Sequence, residues 1–161
     1  MMPMVRPNIP TALSPNEVEA LRRICRGQRV VECGALLGFS TIVIADVAKY
    51  VISIDRHEGY GPPTYRPFMS NISRYRDRVF PIIGDVREAL LGKIADRYFI
   101  DLDGKYQTTL DALRAIPAGP DKLVAVHDFG RAHCDGVERA IITAGYDVFE
   151  VIDTLAVCRR R

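Results

Sequence analysis

The sequence predicts an α/β fold, in which a mostly parallel, seven-stranded sheet is doubly wound by helices and carries one antiparallel strand in a C-terminal hairpin. Short runs rich in Val and Ile alternate with stretches of helical periodicity along the chain. Two final apolar runs, residues 147–152 and 155–159, flank Asp153-Thr154 and predict the hairpin. In addition, the segment VVECGALLGFST at residues 30–41 predicts a strand, a glycine turn and a helix start. Such turns lie at the carboxyl ends of strands, where ligands bind in open α/β sheets.

The helices are predicted from apolar periodicity and from their end signals. Ser14 and Glu17 match a capping box, Pro15 occupies the first helical position, and Gly27 stops this first helix, whose apolar face is expected to cover the sheet. In the same way Gly145 ends the last helix. Ser40 and Thr41 are expected to cap the second helix. The predicted helices are residues 15–25, 40–49, 68–75, 86–91, 107–116 and 136–144.

The parallel strands are predicted from short apolar runs between these helices. They end at residues 33, 55, 84, 101 and 126. The connection after the second strand contains Gly59, Gly61, Pro62 and Pro63, so it is predicted to be a loop and a candidate lid.

Length and composition predict one globular domain, residues 14–161, preceded by an N-terminal arm at residues 1–13. The formal net charge of +2 is too small to indicate a polyanionic partner, so nucleic acid is not the expected ligand. Residues 1–10 contain no apolar run of signal-peptide length, and no span is long enough to cross a membrane. We therefore expect a cytoplasmic protein with no membrane partner. Its four cysteines lack Cys-x-x-Cys spacing and are expected to be reduced thiols.

The glycine turn does not match the common phosphate-binding motifs. Counted from Gly34, the later glycine positions of a dinucleotide fingerprint hold Leu36 and Phe39, whose side chains would crowd a pyrophosphate. A Gly-Lys-Ser/Thr sequence is also absent from the chain. The sequence therefore favours a nucleoside ligand without phosphate at this turn, and an enzyme of the NAD type is a weaker alternative.

Five segments occur in an order that is characteristic of one family. They are Glu32-x-Gly34-x-x-x-Gly38-x-Ser40-Thr41, VISID at 51–55, IIGD at 82–85, YFIDLDGKY at 98–106 and VAVHD at 124–128. Together they resemble the motifs of class I S-adenosylmethionine-dependent methyltransferases, especially the small-molecule O-methyltransferase branch. The resemblance covers roughly residues 14–161 and implies a Rossmann-like sheet. It also implies methyl transfer from S-adenosylmethionine to a hydroxyl of a small molecule or a sugar-like acceptor.

The resemblance implies a cofactor site at the ends of the first four strands. Gly34 would let the backbone approach the methionine part, and Asp55 would bind the ribose hydroxyls or, alternatively, cap a helix. Asp85 and the amide of Val86 would meet the adenine edge, although Asp85 is equally expected as a helix cap. Glu32 ends an apolar strand and should meet backbone amides or the ligand's ammonium group through water. The implied cofactor-binding residues are Glu32, Gly34, Ala35, Gly38, Ser40, Asp55, Arg56, Gly84, Asp85, Val86 and Asp101.

Three carboxylates, Asp101, Asp103 and Asp128, end neighbouring strands and would repel one another without a cation or a sulfonium. In some members of the resembled branch, acids at these places bind Mg²⁺, so these three are candidate metal ligands. This chain has His127-Asp128 where the metal-dependent pattern has Asp-Asn. The alternative is a cation-free site in which Asp101 contacts the cofactor and His127 is the catalytic base, with Lys105 as a weaker candidate base.

Several alternatives stay open at this level. A zinc site of His127, His133, Cys134 and Asp135 has suitable residue types but unsuitable spacing. The acceptor could instead be a nucleic acid or a protein, or the domain could be a catalytically degenerate binding module, since it lacks long substrate-binding insertions. The hydrophobic hairpin makes a homodimer possible.

Overall fold

A computed structural model describes residues 8–59 and 61–161 and contains one seven-stranded sheet. Its strands are β1 (Arg29–Cys33), β2 (Tyr50–Asp55), β3 (Val79–Ile83), β4 (Arg97–Ile100), β5 (Leu123–Val126), β6 (Tyr146–Ile152) and β7 (Leu155–Arg160). The sheet order is β3-β2-β1-β4-β5-β7-β6. β7 runs antiparallel to both of its neighbours, and the other neighbouring pairs are parallel. The fold class predicted from the sequence, including its single antiparallel strand, is therefore confirmed.

Helices cover both faces of the sheet. They are α1 (Pro15–Cys25), α2 (Phe39–Ala45), α3 (Tyr65–Asn71), α4 (Val86–Ala89), α5 (Tyr106–Ala115) and α6 (Gly136–Thr143), with a short 3₁₀ helix at Ser73–Tyr75. One apolar core lies between the sheet and α1, α2 and α3, and a second lies between the sheet and α4, α5 and α6. No described helix is long and apolar enough to cross a membrane.

The capping, proline and glycine signals in the sequence predict most helix ends correctly. The predicted capping box is present, since the Ser14 side chain accepts from the Glu17 amide and Glu17 accepts from the Ser14 amide. α2 is shorter than predicted, because it ends at Ala45 rather than near residue 49. Its N-terminus was also predicted wrongly. The N-cap is Gly38, which makes no side-chain cap bond, so Ser40 and Thr41 do not cap this helix.

Candidate functional site

A cleft of about 630 Å³ lies beyond the carboxyl ends of β1 to β4. This volume is typical of small-molecule sites. Its walls come from residues 10–13, the glycine turn after β1 and the segments that follow the next three strands. Most of the cofactor-binding residues implied by the sequence line it: Gly34, Ala35, Ser40, Asp55, Arg56, Gly84, Asp85, Val86 and Asp101. Glu32 and Gly38 do not line this cleft.

Gly34 is required by the packing of the protein itself. Its φ of +93° is in the left-handed region, and a Cβ built on it would lie 1.8 Å from the backbone oxygen of Asp101. The Gly34 amide donates to the carbonyl of Ile54, and the Asp101 amide donates to the carbonyl of Cys33. The turn after β1 is thus held against the ends of both neighbouring strands, so the missing side chain faces β4.

Gly38 also has a structural role. Its φ is +88°, and a Cβ there would lie 3.0 Å from the ring of Phe68. Gly38 is buried, and α3 packs over the start of α2 at this point through the Phe68 ring. The second glycine of the motif therefore allows two helices to approach.

Glu32 is completely buried and accepts hydrogen bonds from the hydroxyls of Ser40, Thr41 and Ser53. The expectation that it meets backbone amides was wrong. Alternation along β1 places Glu32 on the same face as Val30, in the layer of α1 and α2, and the hydroxyls of α2 and β2 lie there. Burial raises the pKa of Glu32 to about 7, because the three hydroxyl donors offset only part of the cost of desolvation.

Asp55 connects the end of β2 to the glycine turn. One carboxylate oxygen accepts from the amides of Ala35 and Leu36, at 2.7 and 2.8 Å, and the other accepts from the amide of His57 at 2.6 Å. The next helix, α3, begins ten residues later at Tyr65, so the helix-cap alternative for Asp55 is wrong. Asp55 still lines the cleft. The sequence did not predict its bonds to the turn.

Asp85 caps α4, as one of its two predicted roles required. It accepts from the Arg87 amide at 2.9 Å, and its carboxylate also lies between the guanidinium groups of Arg87 and Arg56. These two groups hold the pKa of Asp85 well below its usual range. Its acceptor atoms therefore already have protein donors, whereas Val86 lines the cleft beside it.

His57 is a cleft residue that the sequence analysis missed. Its side chain is buried, its φ is +57°, and its Nδ1 atom lies 3.0 Å from the hydroxyl of Thr64. The ring also packs against Phe68, with centroids 4.7 Å apart. The Thr64 amide donates to the carbonyl of His57, so His57 connects the segment after β2 to the start of α3. Its position two residues after Asp55, just beyond the end of a strand, is the signal that could have identified it as a cleft residue.

Asp101, His127 and Asp128 meet at the ends of β4 and β5. The Nδ1 atom of His127 lies 3.1 Å from Oδ1 of Asp101 and 3.4 Å from Oδ1 of Asp128. Asp103, predicted to join this group, lies apart and accepts from the Lys105 amide and the Thr108 hydroxyl at the start of α5. Asp128 has a φ of +65°, an unusual conformation for a residue other than glycine.

The ring of His127 is buried behind the cleft. Its side chain is 1% exposed, whereas that of Asp101 is 28% exposed and lines the cleft. On the far side, Nε2 of His127 lies 3.5 Å from Oε2 of Glu17. Burial alone would lower the pKa of His127, but the carboxylates of Asp101, Asp128 and Glu17 outweigh it and raise that pKa. Of these two candidate catalytic residues, Asp101 therefore lines the cleft and His127 does not.

These residues do not fit a Mg²⁺ ion well. In residues 8–59 and 61–161, Asp101, His127 and Asp128 form the only group of three His, Cys, Asp or Glu residues with ligand atoms close enough for one ion. The group includes an imidazole nitrogen, which is not a preferred ligand of Mg²⁺. Arg131 also lies 2.8 Å from Asp128, so this carboxylate already has a guanidinium partner. The zinc hypothesis was wrong, since His133, Cys134 and Asp135 are not in the group.

No protein-family model and no curated protein matches the sequence, but solved structures match the fold. The SAM-dependent O-methyltransferase TM0748 from Thermotoga maritima has a TM-score of 0.73 and 13% identity, over 96% of this chain and 69% of that chain. Cofactor-bound Rv0187 from MTB has a TM-score of 0.70 and 24% identity, over 96% and 84%. The O-methyltransferase from Bacillus cereus in complex with SAH has a TM-score of 0.67 and 19% identity, over 92% and 82%. These comparisons confirm the resemblance at the level of the fold: the chain has the fold of class I S-adenosylmethionine-dependent methyltransferases.

Proposed function

We propose that the protein is an S-adenosylmethionine-dependent methyltransferase that methylates a hydroxyl of a small molecule or a sugar-like acceptor. The observation that carries this proposal is the cleft at the ends of β1 to β4, which is lined by Gly34, Asp55 and Val86 and opens onto Asp101. The same fold in O-methyltransferases, one of them in complex with SAH, supports it.

The lining of the cleft fits S-adenosylmethionine. Leu36, Leu37 and Phe39 provide apolar surface beside the glycine turn. Three backbone amides use most of the acceptor capacity of Asp55, and the oxygen that accepts only from the His57 amide can still accept from a ribose hydroxyl. Ala35, Arg56, Gly84, Asp85, Val86 and Ser40 complete the proposed cofactor-binding set. Glu32 and Gly38 support this set from behind, since one holds hydroxyls of α2 and β2 and the other allows α3 to pack.

When bound, S-adenosylmethionine supplies a methyl group on a positively charged sulfonium. The protein's task is to hold an acceptor oxygen in line with that group, because orientation can account for much of the acceleration of such a transfer. Asp101 faces the cleft and accepts the hydroxyl proton. Asp128 lies close to the same imidazole but does not line the cleft, so it can act there only through His127.

A small acceptor is proposed because the remaining walls of the cleft are short. They come from residues 10–13, from the loop after β2 (His57, Glu58, Gly59, Pro62 and Thr64), from Arg87, and from Leu102, Asp103, Lys105 and Thr108. This wall is partly polar and partly apolar, as expected for a hydroxylated small molecule. The expected cytoplasmic location and homodimer stay predictions.

Calorimetric titration of S-adenosylmethionine, with and without Mg²⁺, tests the cofactor. We expect micromolar affinity that is independent of Mg²⁺ and at least tenfold weaker in Asp55→Asn. Glu138→Gln, an exposed change on α6 outside the cleft, is the control and should bind as the wild type does. Circular dichroism would verify that each variant is folded. Folded wild-type protein that does not bind would contradict the proposal and favour a binding module.

Radiolabelled methyl transfer to phenols, catechols and sugars, compared with transfer to RNA and protein, then tests the acceptor. Label in a small molecule supports the proposal. Label in RNA, together with a salt-dependent affinity, would contradict it and identify a nucleic-acid acceptor.

A further inference from the structure

We infer that Glu17, on α1, is a positioning residue that fixes His127 and, through it, the carboxylate of Asp101 at the cleft. This inference rests on the proposed function only for its catalytic meaning, because the contacts themselves are independent of any ligand. The sequence marks Glu17 solely as the partner of Ser14 in a capping box. The structure gives its carboxylate a second set of contacts.

The first observation is the burial of Glu17. Only 1% of its surface is exposed, which is unusual for a carboxylate. One oxygen accepts from the amide and the hydroxyl of Thr154, at 2.9 and 2.8 Å. The other accepts from the Ser14 amide at 2.7 Å. Donors from both sides therefore fix the orientation of this carboxylate.

The second observation is the imidazole of His127, which lies between carboxylates. Its Nε2 atom is buried and makes no hydrogen bond to any of the described residues, and Oε2 of Glu17 is 3.5 Å away. Its Nδ1 atom is 3.1 Å from Asp101. A modest approach of the ring would complete a bond to Glu17, and an unpaired buried donor is costly. Glu17 is thus the group that determines how the ring is turned.

A helix cap alone does not account for these contacts. A capping glutamate needs only to reach the N-cap amide and is usually solvent-exposed, whereas Glu17 also contacts residues at the end of β5 and in the turn between β6 and β7. Its loss would release the ring of His127 and let the Asp101 carboxylate rotate. A displacement of about 1 Å at such a site can reduce turnover about 100-fold.

The test is a spectroscopic measurement that needs no ligand or acceptor. In ¹⁵N-labelled protein, long-range ¹H–¹⁵N spectra report the ring nitrogens of His127, assigned by their loss in His127→Asn. We expect Glu17→Gln to shift both the Nε2 and the Nδ1 signals, and Glu17→Asp to restore them in part. Glu19→Gln makes the same chemical change at an exposed position of α1, so it should leave both signals unchanged.

If Glu17→Gln does not fold, Thr154→Val weakens the support of the Glu17 carboxylate without changing the sequence of α1. It removes one hydroxyl donor to Glu17, and we expect smaller shifts of the same two signals. His127 signals that stay at their wild-type positions in the folded Glu17 or Thr154 variant would overturn the inference. Failure of the wild type to bind S-adenosylmethionine would overturn the proposed function and leave this result intact.

Discussion

The two sides of the cleft are built in different ways. On the cofactor side, the partners of Asp55 and Glu32 lie within about twenty positions of each acid, and most belong to the motif segments. On the acceptor side, Glu17, Asp101 and Thr154 come from distant parts of the chain. A contiguous motif can therefore locate a site. It does not reveal which side chains support one another there.

The largest expected effect comes from disrupting the glycine turn on the cofactor side of the cleft. Gly34→Ala should abolish folding or lower the free energy of unfolding by at least about 4 kcal/mol, because its Cβ would overlap the carbonyl of Asp101. Gly92→Ala is the matched control, since Gly92 has a similar left-handed φ but nothing lies within 4 Å of its added Cβ. It should cost about 1 kcal/mol. Urea denaturation measures both changes, and equal losses would show that the contact with β4 is unimportant.

A second, smaller effect concerns the pH dependence of stability. The pKa of Glu32 rises from its ordinary value of 4.5 to about 7 on folding, so the neutral form is favoured in the native state. The stabilisation from this group is present below pH 4.5 and is lost as the pH rises through about 7. The pKa change corresponds to a contribution on the order of 3 kcal/mol.

Glu32→Gln mimics the neutral carboxyl and removes this titration. We expect the free energy of unfolding of the wild type, relative to Glu32→Gln, to fall between pH 4.5 and pH 7.5. Parallel urea titrations across that range measure the difference. A difference that does not change with pH would show that Glu32 keeps an ordinary pKa in the folded protein.

The smallest expected effect tests whether Asp103 influences the group of Asp101, His127 and Asp128. Asp103→Ala removes acceptors for the Lys105 amide and the Thr108 hydroxyl but does not touch His127. It should cost about 1 kcal/mol and leave the affinity for S-adenosylmethionine within about twofold. The ring signals of His127 should also be unchanged. Moved ring signals would return Asp103 to the cluster in which the sequence placed it.

The sequence predicts the sheet, its antiparallel strand and most helix ends, because period, capping and glycine signals are local. Most of the cofactor-binding residues that it implies also line the cleft, since the ends of parallel strands converge in a predictable way. The individual partners are harder to predict. Glu32 was recognised as a costly buried acid, but its three hydroxyl partners depend on how α2 is rotated over the sheet.

The errors at the ends of β4 and β5 have a similar cause. Asp101 and Asp103 have the same side chain and lie two positions apart. Asp103 nevertheless accepts from the start of α5, whereas Asp101 faces the imidazole of His127. The predicted capping role of Glu17 is correct, but Glu17 also contacts Thr154 and His127, and its local sequence does not indicate this. Its contact with Thr154 depends on where the last hairpin lies, and no local pattern encodes that position.

The bond between Glu17 and Thr154 has a consequence for the order of folding. It joins residues 137 positions apart, whereas the bond from Ala35 to Asp55 spans 20. Long loops close at a greater entropic cost, so contacts of large sequence separation tend to form slowly. We therefore expect the glycine turn to acquire hydrogen-exchange protection early in refolding. The amides around His127 should acquire protection last, when the β6–β7 turn packs against α1.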